Sequence, residues 1–180
     1  PVMKDEPTSK NCWAPELAFD AKTEEFTIFW ATTIPGKFPE TDFDGKNDSN
    51  HRIYATTTKD FAEFSPTKLL FEPGFNCIDS TILPREGRFV MFFKDETKHP
   101  KPMKNLRIAT ADSVSGKWQV KKKAVTEPNS WVEGPSALKV GNEVILYFDA
   151  YTKHHYAALK SKDLETWTDV TPQLRMPKGI

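Results

Sequence analysis

The sequence predicts an all-β protein made of three tandem four-stranded units. Three observations carry that prediction. The first is composition: 180 residues hold 13 Phe, 5 Trp and 14 Pro, in brief apolar runs separated by polar turns. The second is the lack of helical periodicity. No segment keeps a helical period over three turns, and the nearest, 157–165, is interrupted by Lys160-Ser161-Lys162-Asp163. The third is recurrence in register of a strand-opening position, an aromatic second strand, and a turn with an aromatic after the third strand. A β-sandwich with chance internal similarity is the competing arrangement.

The first unit opens at Trp13–Phe19 and turns at 20–25. Its second strand is Phe26–Thr33, whose apolar and aromatic side chains suit a pleated surface. A polar loop over 34–50, rich in Pro, Asp, Gly and Asn, leads to a third strand at Arg52–Thr58 and a fourth at Thr67–Phe71. The second unit repeats the plan: Ile78–Leu83, the turn Pro84-Arg85-Glu86-Gly87, Arg88–Asp95, a loop over 98–103, Leu106–Ala111 and Gln119–Val125. The third runs Pro135–Val140, the turn Gly141-Asn142, Glu143–Tyr151, a short loop, His155–Ser161 and Thr168–Val170.

Three stretches read as copies of the unit's opening: Cys12 to Leu17, Asn76 to Ile82 and Trp131 to Ser136. Superposed, they place Ala14, Asp79 and Glu133 at one position, 65 and 54 residues apart. Tandem four-stranded units are the signature of a β-propeller. The expected blades are 11–74, 75–128 and 129–180, together a partial propeller over 1–180. Closed propellers have roughly four to eight blades. The expectation is therefore that further blades of a longer polypeptide complete this one, with Met176–Ile180 leading into the next.

Charge and cysteine usage exclude several classes. Lys plus Arg and Asp plus Glu both total 25, which gives no basic surface for nucleic acid or an anionic membrane. The longest apolar runs, such as Phe89–Phe93, are too short to span a bilayer as a helix. Residues 1–6 are not a signal peptide. Cys12 and Cys77 are too few for a disulfide framework and read as two small buried residues. His154-His155 has no partner at ligand spacing and reads as solvated loop, with no metal site implied. Lys121-Lys122-Lys123 reads as a solvated strand end, and Asn47-Asp48-Ser49 fits the glycosylation pattern.

In a propeller, first strands line the central channel, and second strands end where first strands begin. Trp13, Ala14, Trp30, Asp79, Lys94, Asp95, Trp131, Glu133, Asp149 and Tyr151 are thus expected at one mouth. Carboxylates, a lysine and aromatic rings suit a carbohydrate: hydroxyls bond the charged groups, and sugar CH faces stack on Trp13, Trp30 or Tyr151. Lys94 and Asp149 are the polar substrate contacts expected beside them. Two carboxylates at the axis also suit glycoside hydrolysis, with one kept protonated by burial and a neighbouring charge. An inverting pair stands ~6.5–9.5 Å apart.

Trp13-Ala14-Pro15-Glu16, Ile78-Asp79-Ser80 and Glu133-Gly134-Pro135 resemble, in that order, the blade-opening motifs of glycoside hydrolase family 43. The turn Lys162-Asp163-Leu164-Glu165-Thr166-Trp167, echoed at Lys59-Asp60-Phe61, is also usual there. The resemblance covers the whole chain as three consecutive blades. It implies a five-bladed propeller that cleaves arabinose- or xylose-containing polysaccharides by an inverting mechanism. It assigns Glu133 as general acid and Asp79 as the carboxylate that tunes it and orients substrate. Ser80 stands where the family usually has proline. The resemblance puts the general base on a preceding blade, and a His near a central cation on a last blade, both outside this chain. No cofactor is then required of these residues, and a cation near the axis would take its ligands from elsewhere. The chain alone is expected to be inactive, with its site in an extracellular or periplasmic protein. Two rival readings are a non-catalytic carbohydrate-binding propeller and a fructan-acting propeller that retains configuration.

Overall fold

A computed structural model describes residues 3–42 and 49–175. Asn47 and Asp48 of the Asn47-Asp48-Ser49 pattern, and the proposed lead-in at Met176–Ile180, lie outside the described residues. The first sheet is β1 (Trp13–Asp20), β2 (Glu25–Thr32), β3 (Arg52–Thr58) and β4 (Lys68–Phe71). The second is β5 (Cys77–Arg85), β6 (Arg88–Asp95), β7 (Asn105–Ala111) and β8 (Gln119–Val120). The third is β9 (Glu133–Val140), β10 (Glu143–Ala150), β11 (His155–Ser161) and β12 (Thr168–Asp169). Each is antiparallel with strands in chain order, and β5 packs against both β1 and β9.

The run Phe89–Phe93 explains how the sheets stack. Alternate strand residues point to opposite faces. Phe89, Met91 and Phe93 pack with Phe29, Ile53 and Phe71 of the first sheet. Val90 and Phe92 pack with Leu146 and Phe148 of the third. A sheet covered on both faces needs a continuous apolar strand, not an alternating one. Burying a side chain such as Phe92 contributes about 1.5–3 kcal/mol.

The turns after the third strands are built alike in two of the sheets. Asp163 Oδ1 accepts the Glu165 and Thr166 amides at 2.8 and 2.7 Å, and Asp60 Oδ1 accepts the Ala62 and Glu63 amides at 2.9 and 3.1 Å. These bonds satisfy turn amides locally and hold the Asp163 carboxyl well below the usual range.

Three expectations are corrected. The fourth strand of the second sheet pairs only at Gln119–Val120. Beyond it, Lys121 and Val125 donate singly to Ile108 O and Leu106 O, with the residues between looped out. The lysines there are not simply solvated: Lys121 pairs with Glu165 and Lys123 Nζ donates to Glu165 O at 2.6 Å, tying the second sheet to the third. Of the cysteines, Cys77 is buried and Cys12 is exposed.

The repeat alignment is also corrected, by one residue in the third copy. Every first strand carries an extra residue near its start, between Trp13 and Glu16, Ile78 and Thr81, and Glu133 and Ser136. The pairs Trp13–Ala31, Ile78–Lys94 and Glu133–Asp149 are equivalent. The bulge residues are Ala14, Asp79 and Gly134, at φ 44°, 51° and 59°. Asp79 therefore corresponds to Gly134, and Glu133 to Ile78.

Candidate active site

The bulges bring the two predicted carboxylates together. With φ positive, Asp79 leaves the strand's alternation and its side chain reaches across to the third sheet. Its Oδ2 accepts the Gly134 amide at 3.1 Å, so Asp79 grips the residue next to Glu133. Burial pushes the Asp79 carboxyl above the usual range, and the Gly134 amide and Lys94 partly offset this.

Lys94 ends the row Val90, Phe92, Lys94 that β6 turns toward the third sheet. Only 1% of it is exposed, and its Nζ stands 2.8 Å from Glu133 Oε2 and 2.8 Å from Glu96 Oε2. A buried ammonium needs such partners, because desolvation disfavours its charge. Here the two carboxylates win, and the Lys94 ammonium is held above its ordinary value. Lys104 pairs with the other oxygen of Glu96. Tyr151 opens a short turn after β10, with Lys94 Nζ 5.0 Å from its ring centre. Trp131 meets Tyr151 edge to face at 6.4 Å and lies under Lys104 at 5.5 Å.

Trp13 sits at the same mouth on the first sheet. It is 51% exposed and stacks on His51 at 4.7 Å. His51 begins the segment into β3. Its amide donates to Asn76 Oδ1 at 2.9 Å, and Nδ1 lies 3.2 Å from the same oxygen. Burial pushes its imidazole down to about 4.

The other predicted residues are placed differently. Trp30 lies in a cluster with Met3, Ile34 and Tyr54, 2% exposed. It alternates with Phe29 and Ala31, which fill the core between the sheets, so it turns to the opposite face of β2 and offers no platform at the mouth. Asp149 pairs across from Glu133 but alternates with Phe148 and Ala150, on the face turned away from the second sheet. Asp95, beside Lys94, points to the first-sheet side and meets Arg107 at 3.6 Å.

Glu96, Lys104 and His51 were not among the predicted residues. A signal for the first two exists: β6 and β7 pair Lys94 with Leu106 and Asp95 with Asn105, so the next positions of that hairpin are Glu96 and Lys104. Among the described residues, no group of three or more His, Cys, Asp or Glu is arranged to hold a metal ion. Three carboxylates, two ammoniums and three aromatic rings at one mouth can bind hydroxyls, stack on a sugar face and transfer a proton.

Comparison with known proteins adds lineage to this geometry. A family model described as a probable glycosyl hydrolase domain matches residues 2–179. No curated protein matches the chain in sequence. Among solved structures, the chain resembles a family 117 glycoside hydrolase of the marine bacterium Zobellia galactanivorans, at 14% identity and TM-score 0.65. That match covers 92% of this chain and 56% of the other. It also resembles a family 43 β-1,3-galactosidase, at 15% identity and TM-score 0.65, over 90% of this chain and 32% of that one. A β-xylosidase matches at 13% identity and TM-score 0.63, over 87% and 58%. The three sheets are thus blades of a β-propeller of the glycoside hydrolase kind, and the chain spans from about a third to just over half of these structures.

Proposed function

The chain belongs to the family of probable glycosyl hydrolase domains, and from that premise we propose that it forms part of an inverting glycosidase acting on arabinose- or xylose-containing saccharides. Glu133 is the general acid in this reading. Asp79 orients it and the substrate, and the general base comes from a sheet outside this chain. The observation that carries the reading is the joining of Asp79 and Glu133 around one bulge. A carboxylate from the second sheet grips the backbone beside a carboxylate of the third, at a mouth where Trp13, Trp131 and Tyr151 offer rings.

The chemistry follows from these positions. Sugar CH faces stack on the exposed Trp13 ring and against the Trp131–Tyr151 pair, and hydroxyls bond Asp79, while the buried Lys94 holds Glu133. Glu133 then gives a proton to the leaving glycosidic oxygen as the bond to the anomeric carbon breaks. The base, on the opposite side of the sugar, takes a proton from the water that attacks that carbon.

The test is hydrolysis of aryl β-xyloside, aryl α-arabinofuranoside and aryl β-galactoside by the complete polypeptide and its Glu133→Ala variant. The galactoside is included because a galactosidase is among the structural relatives. Hydrolysis lost in the variant, with NMR showing inversion in the first product, supports the reading. Equal turnover in variant and parent removes Glu133 as the acid. The Glu133–Lys94 ion pair favours one second reading, a site that binds carbohydrate without cleaving it. Sugar binding with no hydrolysis of any of the three glycosides would establish it.

A further inference from the structure

Lys94 and its partners form a ladder of alternating charge: Glu133, Lys94, Glu96, Lys104. Its two carboxylates differ in reach. The Glu133 side chain is 40% exposed, and that of Glu96 is 12%. Glu96 spends one oxygen on Lys94 and the other on Lys104, whereas Glu133 meets Lys94 through Oε2. Glu96 is thus built in on both sides, and Glu133 is open to solvent and to whatever enters the mouth.

We propose that Lys94 is the positioning residue for Glu133, and that Glu96 is the standing partner that lets Glu133 gain and lose a proton without stranding Lys94. When Glu133 takes a proton from solvent, its attraction to Lys94 falls. The ammonium then stays ion-paired with Glu96, so no buried cation is left alone. When Glu133 gives up the proton, Lys94 again bridges both carboxylates. The other titratable groups around the ladder are Asp79 from β5, Asp95 beside Lys94, Lys98 in the loop after β6, Tyr151 after β10 and His51 from the first sheet. The catalytic meaning of this device rests on Glu133 being the acid. The ladder itself does not.

The experiment follows the carbon-13 signal of the Glu133 carboxyl through a pH titration of the whole chain, assigned by its loss in Glu133→Gln. Lys94→Met removes the cation and should raise the Glu133 midpoint by about one pH unit or more. Glu96→Gln leaves Lys94 to Glu133 alone and removes a neighbouring negative charge, so the midpoint should fall. Lys94→Arg keeps the charge and should return the midpoint close to that of the parent chain. An unmoved midpoint in Lys94→Met, or shifts of one sign in Lys94→Met and Glu96→Gln, would overturn the proposal. Should Lys94→Met not fold, a Glu96→Gln midpoint that fails to fall is enough to overturn it. No substrate is involved. Opposite shifts in a protein that hydrolyses no glycoside would leave the ladder standing and remove only the glycosidase reading.

Discussion

Asp79 reaches from the second sheet to the Gly134 amide of the third, 3.1 Å away, and does so from a left-handed backbone. Both features depend on the side chain. Asp and Asn tolerate this conformation better than other non-glycine residues. Asp79→Asn keeps an acceptor and that tolerance, so stability at pH 7 should equal or exceed that of the parent, because a buried charge is removed. Burial raises the native Asp79 carboxyl above its unfolded value. Its contribution is therefore present at low pH and lost as pH rises through the native value, and any advantage of Asn should shrink as pH falls. Asp79→Ala loses the bond and puts alanine in the left-handed region, a cost of about 2–4 kcal/mol. Urea denaturation of the three chains at pH 4 and 7 separates these outcomes, and hydrolysis by the complete polypeptide should fall in both variants.

His51 makes a second pH-dependent contribution, of opposite sign. Its native imidazole titrates at about 4, against 6.5 when unfolded. Above 6.5 both states are neutral and the contribution is whole. As pH falls from 6.5 toward 4 the unfolded chain takes up a proton that the native chain refuses, and stability is lost. With His51 1% exposed, the loss reaches up to about 3 kcal/mol. In His51→Gln this slope should be missing. Urea midpoints at pH 7.5 and 4.5 provide the check: equal pH dependence in the two chains would mean that His51 is not held neutral.

The two tryptophans of the first sheet should respond in opposite ways. Trp13 is half-exposed and rests on His51, so Trp13→Ala should leave the urea midpoint nearly unchanged. It should weaken retention in an affinity gel containing arabinoxylan, since stacking on an exposed aromatic ring is lost. Trp30→Ala empties a buried site among Met3, Ile34 and Tyr54 and should cost about 3–5 kcal/mol. Gel retention lost in a folded Trp30→Ala but not in Trp13→Ala would reverse the assignment of the platform.

Strand positions were legible in the sequence because turns and apolar runs alternate along it, and among the described residues eleven of the twelve strands fall within about two residues of those expected, the exception being the short β8. Side-chain direction was less legible. Trp30 carries the same chemistry as Trp13, and only strand alternation against Phe29 and Ala31 shows that it faces away from the mouth. Glu96 and Lys104 lie just past the strand ends, where composition gives no cue and only hairpin register does. The misplaced copy has the same origin. Asp79 and Glu133 were matched because both are carboxylates, whereas the backbone matches Asp79 with Gly134, which has no side chain to advertise it.

That backbone equivalence leads to the last prediction. Three residues occupy one left-handed bulge position, and only Gly134 does so without a Cβ clash. Alanine in this region is disfavoured by about 1–2 kcal/mol. Ala14 carries that strain, so Ala14→Gly should stabilise the chain. The gain is reduced by the extra freedom glycine gives the unfolded state, about 0.4–1 kcal/mol, which leaves a net effect of up to about 1 kcal/mol. Gly134→Ala reverses the exchange. No atom beyond the adjacent residues lies within 4 Å of the added Cβ, so the cost is conformational and should also be about 1 kcal/mol or less. Its further effect is on position: relief of strain would swing the Gly134 amide away from Asp79 and move Glu133 with it. Urea denaturation should show a gain for Ala14→Gly and a loss for Gly134→Ala, and the Glu133 carbon-13 signal should shift only in the second. A loss of stability in Ala14→Gly would show that the bulge at Ala14 is not strained, and would break the equivalence of the three positions.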